Sequence, residues 1–165
     1  MYPLLNRYIT PDGKFMKHRN FVTTLFASLF FLAAGTALAA DTPTEAPKGV
    51  TLIDAKKVQE LQAGGATIVD TRKASEFGEG SIKGAISVPY DPEKSAKEAT
   101  FDSKMDKFDL TKLPNKDAKI VIFCNAGSCW KSYKAAVVLA ANGYKNVSWY
   151  REGVPDWKAR KLPME

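Results

Sequence analysis

The amino-acid sequence predicts an α/β fold in which helices cover both faces of a parallel β-sheet. Short apolar segments rich in β-branched residues alternate along the chain with segments of helical periodicity. This alternation is typical of strand–helix–strand units with right-handed crossovers, which build parallel sheets. In addition, Cys124 directly follows the apolar segment Ile120–Phe123 and precedes a helical pattern. A thiol in that position would lie at the carboxyl end of a strand and face a helix N-terminus, which favours its ionised form.

The first 39 residues have the pattern of a secretory signal peptide. A basic stretch at Met16–Arg19 precedes an apolar stretch at Phe21–Ala34, and Ala37–Ala39 has the small residues of a cleavage site. The apolar stretch is short for a membrane span, which argues against a retained anchor. Met16 is an alternative start. We therefore predict a periplasmic protein without a membrane anchor after cleavage, with a linker over residues 40–49 and one domain over residues 50–165.

Charge and histidine content limit the function classes. Four basic residues and one acidic residue lie in the first 39, so the net charge of +6 falls to +3 for the remainder. The lysines alternate with acidic residues, which is not the pattern of a nucleic-acid surface, whereas a small anionic substrate is compatible. The only histidine, His18, lies in the predicted signal peptide. We therefore expect no Ser-His-Asp or Cys-His catalysis, no metal site and no cofactor.

The first half of the domain is predicted as strand, helix, strand, loop and strand. Asp54 is a candidate N-cap, Val58 and Leu61 have the spacing of an inward face, and Gly64 ends the helix. The predicted elements are a strand at Val50–Ile53, a helix at Ala55–Ala63, a strand at Ala66–Asp70, a loop with a helical turn at Thr71–Gly80, and a strand at Ala85–Val88.

The second half begins with a long charged connection, Asp91–Asp117, which we expect to be mostly exposed and to contain a short helix. The helix after the Cys124 loop is expected to place one face inward. The remaining predicted elements are a strand at Ile120–Phe123, a helix at Lys131–Ala141 with Tyr133, Ala136, Val137 and Ala140 on its inner face, a strand at Val147–Tyr150, and a short helix that opens at Pro155 and holds Trp157.

Short motifs occur in a specific order over residues 50–163. They are Val69–Arg72, Glu76–Phe77, Gly80–Ala85, Pro89, the Cys124 loop, Ala135–Ala136, Gly143–Val147, Gly153 and Trp157. Taken together, these motifs resemble the rhodanese-like domain family. The resemblance implies a five-stranded, mostly parallel sheet with helices on both faces. It also implies sulfur transfer through a persulfide on Cys124, from a small anionic donor such as thiosulfate to a thiophilic acceptor.

The Cys124 loop departs from the common family pattern. Gly127 keeps its place, but Cys129 stands where the family has an arginine. If the loop is two residues longer, Lys131 takes the arginine position. The family's histidine before the third strand is Ser81 here. A loop that ends in Cys129–Ser132 is similar to a periplasmic single-domain branch of the family, and we expect a monomer whose acceptor is a periplasmic thiol protein.

The resemblance and the loop's position together yield a set of candidate site residues. A thiolate must attack the outer sulfur of the donor, and a helix N-terminus with nearby cations lowers a cysteine pKa. The same backbone amides would hold the anionic persulfide or the sulfite leaving group. The alternative is that Cys124 is a buried core thiol. Candidates for donor binding are Asn125, Ala126, Gly127, Ser128, Trp130, Lys131 and Arg72, with Lys134 as a further cation and Arg151 at the rim.

Several roles stay open at this point. Cys129 is a candidate catalytic residue as a resolving thiol, as half of a redox pair or as the nucleophile itself, and the alternatives are a static disulfide with Cys124 or an inert thiol. Asp70 and Arg72 are predicted to form a structural ion pair near the site, although Arg72 is also a candidate for direct catalysis. Glu76 is predicted to fix the following loop. Trp130 either lines the pocket or packs in the core.

Three functions of different classes are consistent with the sequence. The first is a periplasmic sulfurtransferase with Cys124 as the persulfide carrier. The second is a thiol–disulfide redox accessory that uses Cys124 and Cys129, and the third is a non-catalytic binding module. A phosphatase is disfavoured because that chemistry needs an arginine in the loop to bind oxyanions in a bidentate manner, and the loop has none.

Overall fold

A computed structural model describes residues 41–165, and the predicted signal peptide lies outside the described residues. Strands and helices alternate along most of this range. The strands are β1 (Val50–Leu52), β2 (Thr67–Asp70), β3 (Ala85–Ser87), β4 (Tyr90–Asp91), β5 (Lys107–Phe108), β6 (Lys119–Phe123) and β7 (Asn146–Tyr150), and the helices are α1 (Ala55–Ala63), α2 (Ala74–Gly78), α3 (Trp130–Ala141) and α4 (Gly153–Ala159).

The main sheet has five strands in the order β1-β7-β6-β2-β3. Each neighbouring pair in it is parallel, so the predicted α/β fold with a five-stranded parallel sheet is confirmed. β6 lies in the middle, with Phe123 paired to Tyr150 of β7 and to Asp70 of β2. Because parallel strands end at the same edge, this register brings the residues after β2, β6 and β7 to one edge of the sheet.

Apolar side chains on the two faces of the sheet form two separate cores. Along β6, Ile120 and Ile122 join one core, and Val121 and Phe123 join the other, as the two-residue period of a strand requires. The first core includes Leu139 of α3, and the second includes residues of α1 and α4. Burial of one large apolar side chain stabilises the fold by about 1.5–3 kcal/mol. The helices on both faces of the sheet therefore fix the positions of the strands and of the loops that follow them.

The structure confirms α1 and corrects the inner face of α3. The Asp54 side chain caps α1 by accepting a hydrogen bond from the amide of Lys57 at 2.8 Å. In α3 the buried apolar stripe runs through Ala135, Ala136 and Leu139, whereas Tyr133, Val137 and Ala140, which we predicted to face inward, are half-buried. The helix has small or apolar residues almost all round, so its periodicity alone does not select the buried stripe. The indole of Trp149 donates to Ser132 Oγ at 3.0 Å and thereby favours the observed face.

The long connection between β3 and β6 is mostly exposed, as predicted, but it is more structured than expected. It contains the antiparallel pair β4–β5 and two short 3-10 helices, Glu93–Ala96 and Leu110–Lys112. Ser95 and Leu113 are buried. Part of the connection contacts the first turns of α3, so it belongs to the surroundings of the cysteine loop.

The start of the last helix differs from prediction, and the first described residues lie against the domain. Residues 41–49, predicted as a linker, contact the domain, and Thr42 and Pro47 are buried. α4 begins at Gly153, two residues before Pro155. In the range 41–165, none of the helices has both the length and the apolar character that a membrane span needs.

Candidate functional site

The loop between β6 and α3 contains both cysteines, and they form a disulfide bond. Cys124 directly follows β6, Cys129 is the N-cap residue of α3, and their Cα atoms are 6.3 Å apart. Cys124 is 1% exposed and Cys129 is 6% exposed. The predicted position of Cys124 between a strand and a helix N-terminus is confirmed. The pairing, which the sequence left open, is a disulfide in this structure.

Backbone contacts hold the loop in an unusual conformation. The amide of Cys129 donates to the carbonyl of Ala126 at 2.9 Å, and the amide of Val154 donates to the carbonyl of Cys124 at 3.1 Å. Ala126 has a φ of 137°, a region that residues with a side chain rarely adopt. Such a residue persists only where its surroundings determine the conformation, and this is common at functional sites.

Two glycines at this site have close neighbours, backbone atoms at Gly153 and the tip of the Arg151 side chain at Gly127. Gly153 has a φ of 59°, and a Cβ atom there would collide with the carbonyl oxygen of Cys124. A Cβ atom on Gly127 would lie 2.5 Å from the guanidinium carbon of Arg151. Arg151 therefore lies directly against the loop, which agrees with its predicted place at the rim.

The carboxylate of Glu76 contacts the cysteine loop through Asn125 and also caps its own helix, α2. The Asn125 side-chain nitrogen donates to Glu76 Oε1 at 2.6 Å, and the amide of Lys73 donates to Glu76 Oε2 at 3.4 Å. Asn125, a candidate for donor binding, is thus a partner of Glu76. The sequence predicted that Glu76 fixes the loop that follows it, whereas its side-chain partner in the structure is Asn125 of the cysteine loop.

Asp70 and Arg72 form the predicted ion pair. Arg72 Nη2 lies 2.6 Å from Asp70 Oδ2, and the same nitrogen donates to the carbonyl of Gly80 at 2.8 Å. Ser81 donates to Asp70 Oδ2 at 2.7 Å. The side chains of Asp70 and Arg72 are 0% and 5% exposed. The guanidinium group therefore supports the end of β2, and its contacts do not favour the donor-binding role that we considered.

The two lysines of α3 are buried and have partners outside the loop. Lys131 Nζ lies 2.7 Å from Glu93 Oε2, and its side chain is 2% exposed. Lys134 Nζ donates to the carbonyl of Thr100 at 2.7 Å and lies 3.4 Å from Asp106 Oδ2. The sequence predicted these cations beside Cys124. Residues of the connection that follows β4 pair with both lysines instead. Their ammonium groups are therefore not accessible to an anion bound at the cysteine loop.

Asp106 lies in a small polar cluster with these groups. Burial alone would raise the pKa of Asp106, but hydrogen bonds from Ser95 Oγ and the amide of Asp102, together with Lys134, lower it overall. Burial, and next the charge of Asp106, raise the pKa of Tyr90 to about 12. These shifts favour an ionised carboxylate and a neutral phenol at pH 7.

The remaining candidates differ in exposure. Ser128 is exposed, Ala126 is intermediate, and Gly127 is buried. Trp130 is 8% exposed and makes an edge-to-face contact with Tyr133 at 5.3 Å between ring centroids, which favours the packing role over a pocket lining. Within residues 41–165 there is no group of three or more His, Cys, Asp or Glu side chains that could hold a metal ion.

Sequence reasoning missed Thr42. Its amide and its hydroxyl both donate to the carbonyl of Gly127, at 2.7 and 2.6 Å. The surrounding residues are rich in Pro and Thr and lack periodicity, so the sequence indicated only a linker there. No local signal predicts a contact between positions 85 residues apart.

Comparisons with known proteins agree with this architecture. A family model of the rhodanese-like domain matches residues 54–160. A search of curated proteins gave no match. Among solved structures, a thiosulfate sulfurtransferase from Pseudomonas aeruginosa is 23% identical with a TM-score of 0.51, and the match covers 70% of this chain and 20% of that one. This chain thus spans about a fifth of that protein's length.

Two further solved structures show a similar fold. A Bacillus halodurans protein is 25% identical with a TM-score of 0.52, and the match covers 70% of this chain and 76% of that one. The rhodanese-like domain of an Anabaena sp. protein is 23% identical with a TM-score of 0.51, with coverage of 69% and 77%. Because the family model extends from the residue before α1 through α4 and includes the cysteine loop, this chain belongs to the rhodanese-like domain family.

Proposed function

We propose that this protein is a sulfurtransferase that carries sulfane sulfur as a persulfide on Cys124. The observation that carries the proposal is the position of Cys124, at the carboxyl end of the central strand and in the loop that leads to the N-terminus of α3, within a rhodanese-like domain. The donor is a small anion such as thiosulfate. The acceptor is a thiophilic small molecule or a thiol protein in the periplasm.

The reaction begins with reduction of the disulfide. A dithiol reductant forms a mixed disulfide with one cysteine, expels the other as a thiolate, and then closes its own disulfide, so that two electrons reach the pair. The Cys124 thiolate attacks the outer sulfur of thiosulfate, a sulfur–sulfur bond forms on Cys124, and sulfite leaves with the electron pair of the broken bond. An acceptor thiolate then takes the outer sulfur and regenerates the Cys124 thiolate.

Backbone groups supply the positive potential in this mechanism. Lys131 and Lys134 are paired with groups of the long connection, so their charges are largely neutralised. The N-terminus of the 12-residue helix α3 and the amides of the loop remain to stabilise the thiolate and the persulfide anion. No histidine base is required, because the thiolate itself is the nucleophile.

A redox function is the second candidate, and the disulfide between Cys124 and Cys129 favours it. In this version a partner's thiolate attacks the disulfide, a mixed disulfide forms, and the partner's second thiolate resolves it, so that two electrons pass to the cysteine pair. If the protein transfers sulfur, Cys129 is instead a candidate resolving thiol, which attacks Cys124 of the persulfide, re-forms the disulfide and releases hydrosulfide. Disulfides persist in oxidising compartments, which is consistent with export to the periplasm.

The test uses the chain expressed with its own N-terminal segment and purified as the cell processes it. The protein is reduced, freed of reductant and treated with thiosulfate, and its peptides are analysed by mass spectrometry. We expect one added sulfur on Cys124, loss of this product in Cys124→Ser, and retention in Cys129→Ser. The same spectra give the N-terminal residue, which tests cleavage after Ala39.

Other outcomes separate the candidates. If thiosulfate re-forms the disulfide and releases sulfide from the unmodified protein, but Cys129→Ser accumulates persulfide, Cys129 is a resolving thiol. If no sulfur is added where a control rhodanese is loaded, and both cysteines exchange with a partner dithiol, the redox function replaces the sulfurtransferase. If neither reaction occurs, the domain is a binding module.

A further inference from the structure

The segment Asp41–Pro43, which we name the strap, lies across the cysteine loop. Thr42 is 3% exposed, and both its amide and its hydroxyl donate to the carbonyl of Gly127, which lies inside the ring that the disulfide closes. We propose that Thr42 and Arg151 are positioning residues that control the access of reductant and sulfur donor to the Cys124–Cys129 pair. This inference deepens the proposed function but rests on separate contacts.

Arg151 connects the strap to the loop. Its Nη2 donates to the carbonyl of Thr42 at 3.0 Å and its Nε donates to the carbonyl of Pro43 at 3.1 Å. The guanidinium group also lies against Gly127, where a Cβ atom would be only 2.5 Å away. The guanidinium group of Arg151 therefore contacts both the strap and the cysteine loop at this edge of the sheet.

Reduction of the disulfide requires the loop to open. An attacking thiolate must reach a cysteine sulfur in line with the sulfur–sulfur bond, and access limits the rate of exchange. Both cysteines are almost fully buried, so an attack needs a local opening of the native structure. Movement of the loop away from the edge breaks the two hydrogen bonds from Thr42 to Gly127. The strap therefore lowers the population of the open, reactive loop.

The predicted cleavage site lies just before the strap. Cleavage after Ala39, which the sequence predicts, leaves Thr42 as the third residue of the mature chain. Cleavage only a few residues further on would remove the strap. The position of cleavage would then set how readily the cysteine pair reacts.

The test compares Thr42→Val with Thr42→Ser and with Thr44→Val in the full chain. Thr42→Val removes the hydroxyl and keeps the volume, Thr42→Ser keeps the hydroxyl, and Thr44→Val makes the same change at an exposed position of the same segment. The rate of disulfide reduction by dithiothreitol is followed by alkylation and mass spectrometry under native conditions. Loss of one buried hydrogen bond predicts reduction about three- to tenfold faster in Thr42→Val, with Thr42→Ser and Thr44→Val close to the unmodified protein.

A second variant keeps the proposal falsifiable. Arg151→Gln removes the charge and is expected to speed reduction by at least as much as Thr42→Val. The free energy of unfolding in urea is measured for all variants, because a merely structural role would raise the reduction rate by no more than it raises the globally unfolded fraction. An unchanged rate in both Thr42→Val and Arg151→Gln overturns the proposal. No sulfur donor is present, so this result is independent of whether the protein transfers sulfur.

Discussion

Replacement of Gly153 by alanine is the sharpest test of how the cysteine loop is held. Gly153 begins α4 with a φ of 59°, and a Cβ atom there would collide with the carbonyl oxygen of Cys124. The same atom would lie 2.9 Å from the carbonyl carbon of Cys124 and 3.1 Å from the amide nitrogen of Ala126. All three are backbone atoms, so no side chain can rotate away to make room.

The expected loss of stability has three parts. A positive φ costs a residue with a Cβ atom about 1–2 kcal/mol. Forcing extra volume into a packed region costs about 1–3 kcal/mol. The hydrogen bond from the amide of Val154 to the carbonyl of Cys124, now 3.1 Å long, would be disrupted at a cost of about 0.5–1.5 kcal/mol. Together these terms predict a loss of roughly 3–6 kcal/mol, a large part of a typical domain's 5–15 kcal/mol.

Gly143→Ala is the matched control. Gly143 has a φ of 81°, and a Cβ atom there would meet nothing within 4 Å. The control therefore carries the backbone penalty of about 1–2 kcal/mol without the collision. Free energies of unfolding are measured in urea, and persulfide formation on Cys124 is measured in parallel. Equal losses in the two variants, within about 0.5 kcal/mol, would refute the claim that close approach to the Cys124 carbonyl requires glycine at position 153.

Two further predictions concern buried charges. Asp70→Asn leaves the buried guanidinium group of Arg72 without its carboxylate. We expect the free energy of unfolding, measured in urea at neutral pH, to fall by about 3–5 kcal/mol. A fall of less than about 1 kcal/mol would contradict a stabilising role of the pair. Asp106 has a lowered pKa in the folded protein, so its contribution is present above its unfolded pKa of about 4 and is lost as the pH falls through the folded value. Asp106→Asn removes the charged partner of Lys134. We expect it to lower the free energy of unfolding at pH 7 and to reduce the loss of stability below about pH 5. Urea unfolding measured across this pH range tests this, and an unchanged loss of stability at low pH would contradict it.

Local signals were sufficient for most of the secondary structure. The spacing of Val58 and Leu61 and the capping residue Asp54 predicted α1 with the bounds that the structure has. The apolar segments predicted the five strands of the main sheet to within one residue at either end. Hydrophobic periodicity, caps and glycine turns act within a few residues of the chain, so the sequence carries them directly. The placement of Cys124 after a strand and before a helix follows from the same signals.

Charge and pairing at the site depended on distant residues. Lys131 and Lys134 were expected to face the cysteine loop, yet Glu93 and Asp106 of the long connection bind them. A lysine carries the same charge in either arrangement, and only the fold determines which carboxylate lies within reach. The disulfide also depends on the fold, because a spacing of five residues between two cysteines allows a bond but does not require one.

What the sequence by itself determined was the fold class, the order of the elements and the position of the cysteine loop, since each depends on side-chain patterns that repeat over short distances. The tertiary structure alone decided which face of α3 is buried, how Asn125 and Glu76 brace the loop, and how the strap reaches Gly127. The last two features depend on contacts between residues that are 49 and 85 positions apart in the sequence. Such contacts form only when the parallel sheet brings the carboxyl ends of its strands to one edge, and no local pattern encodes them.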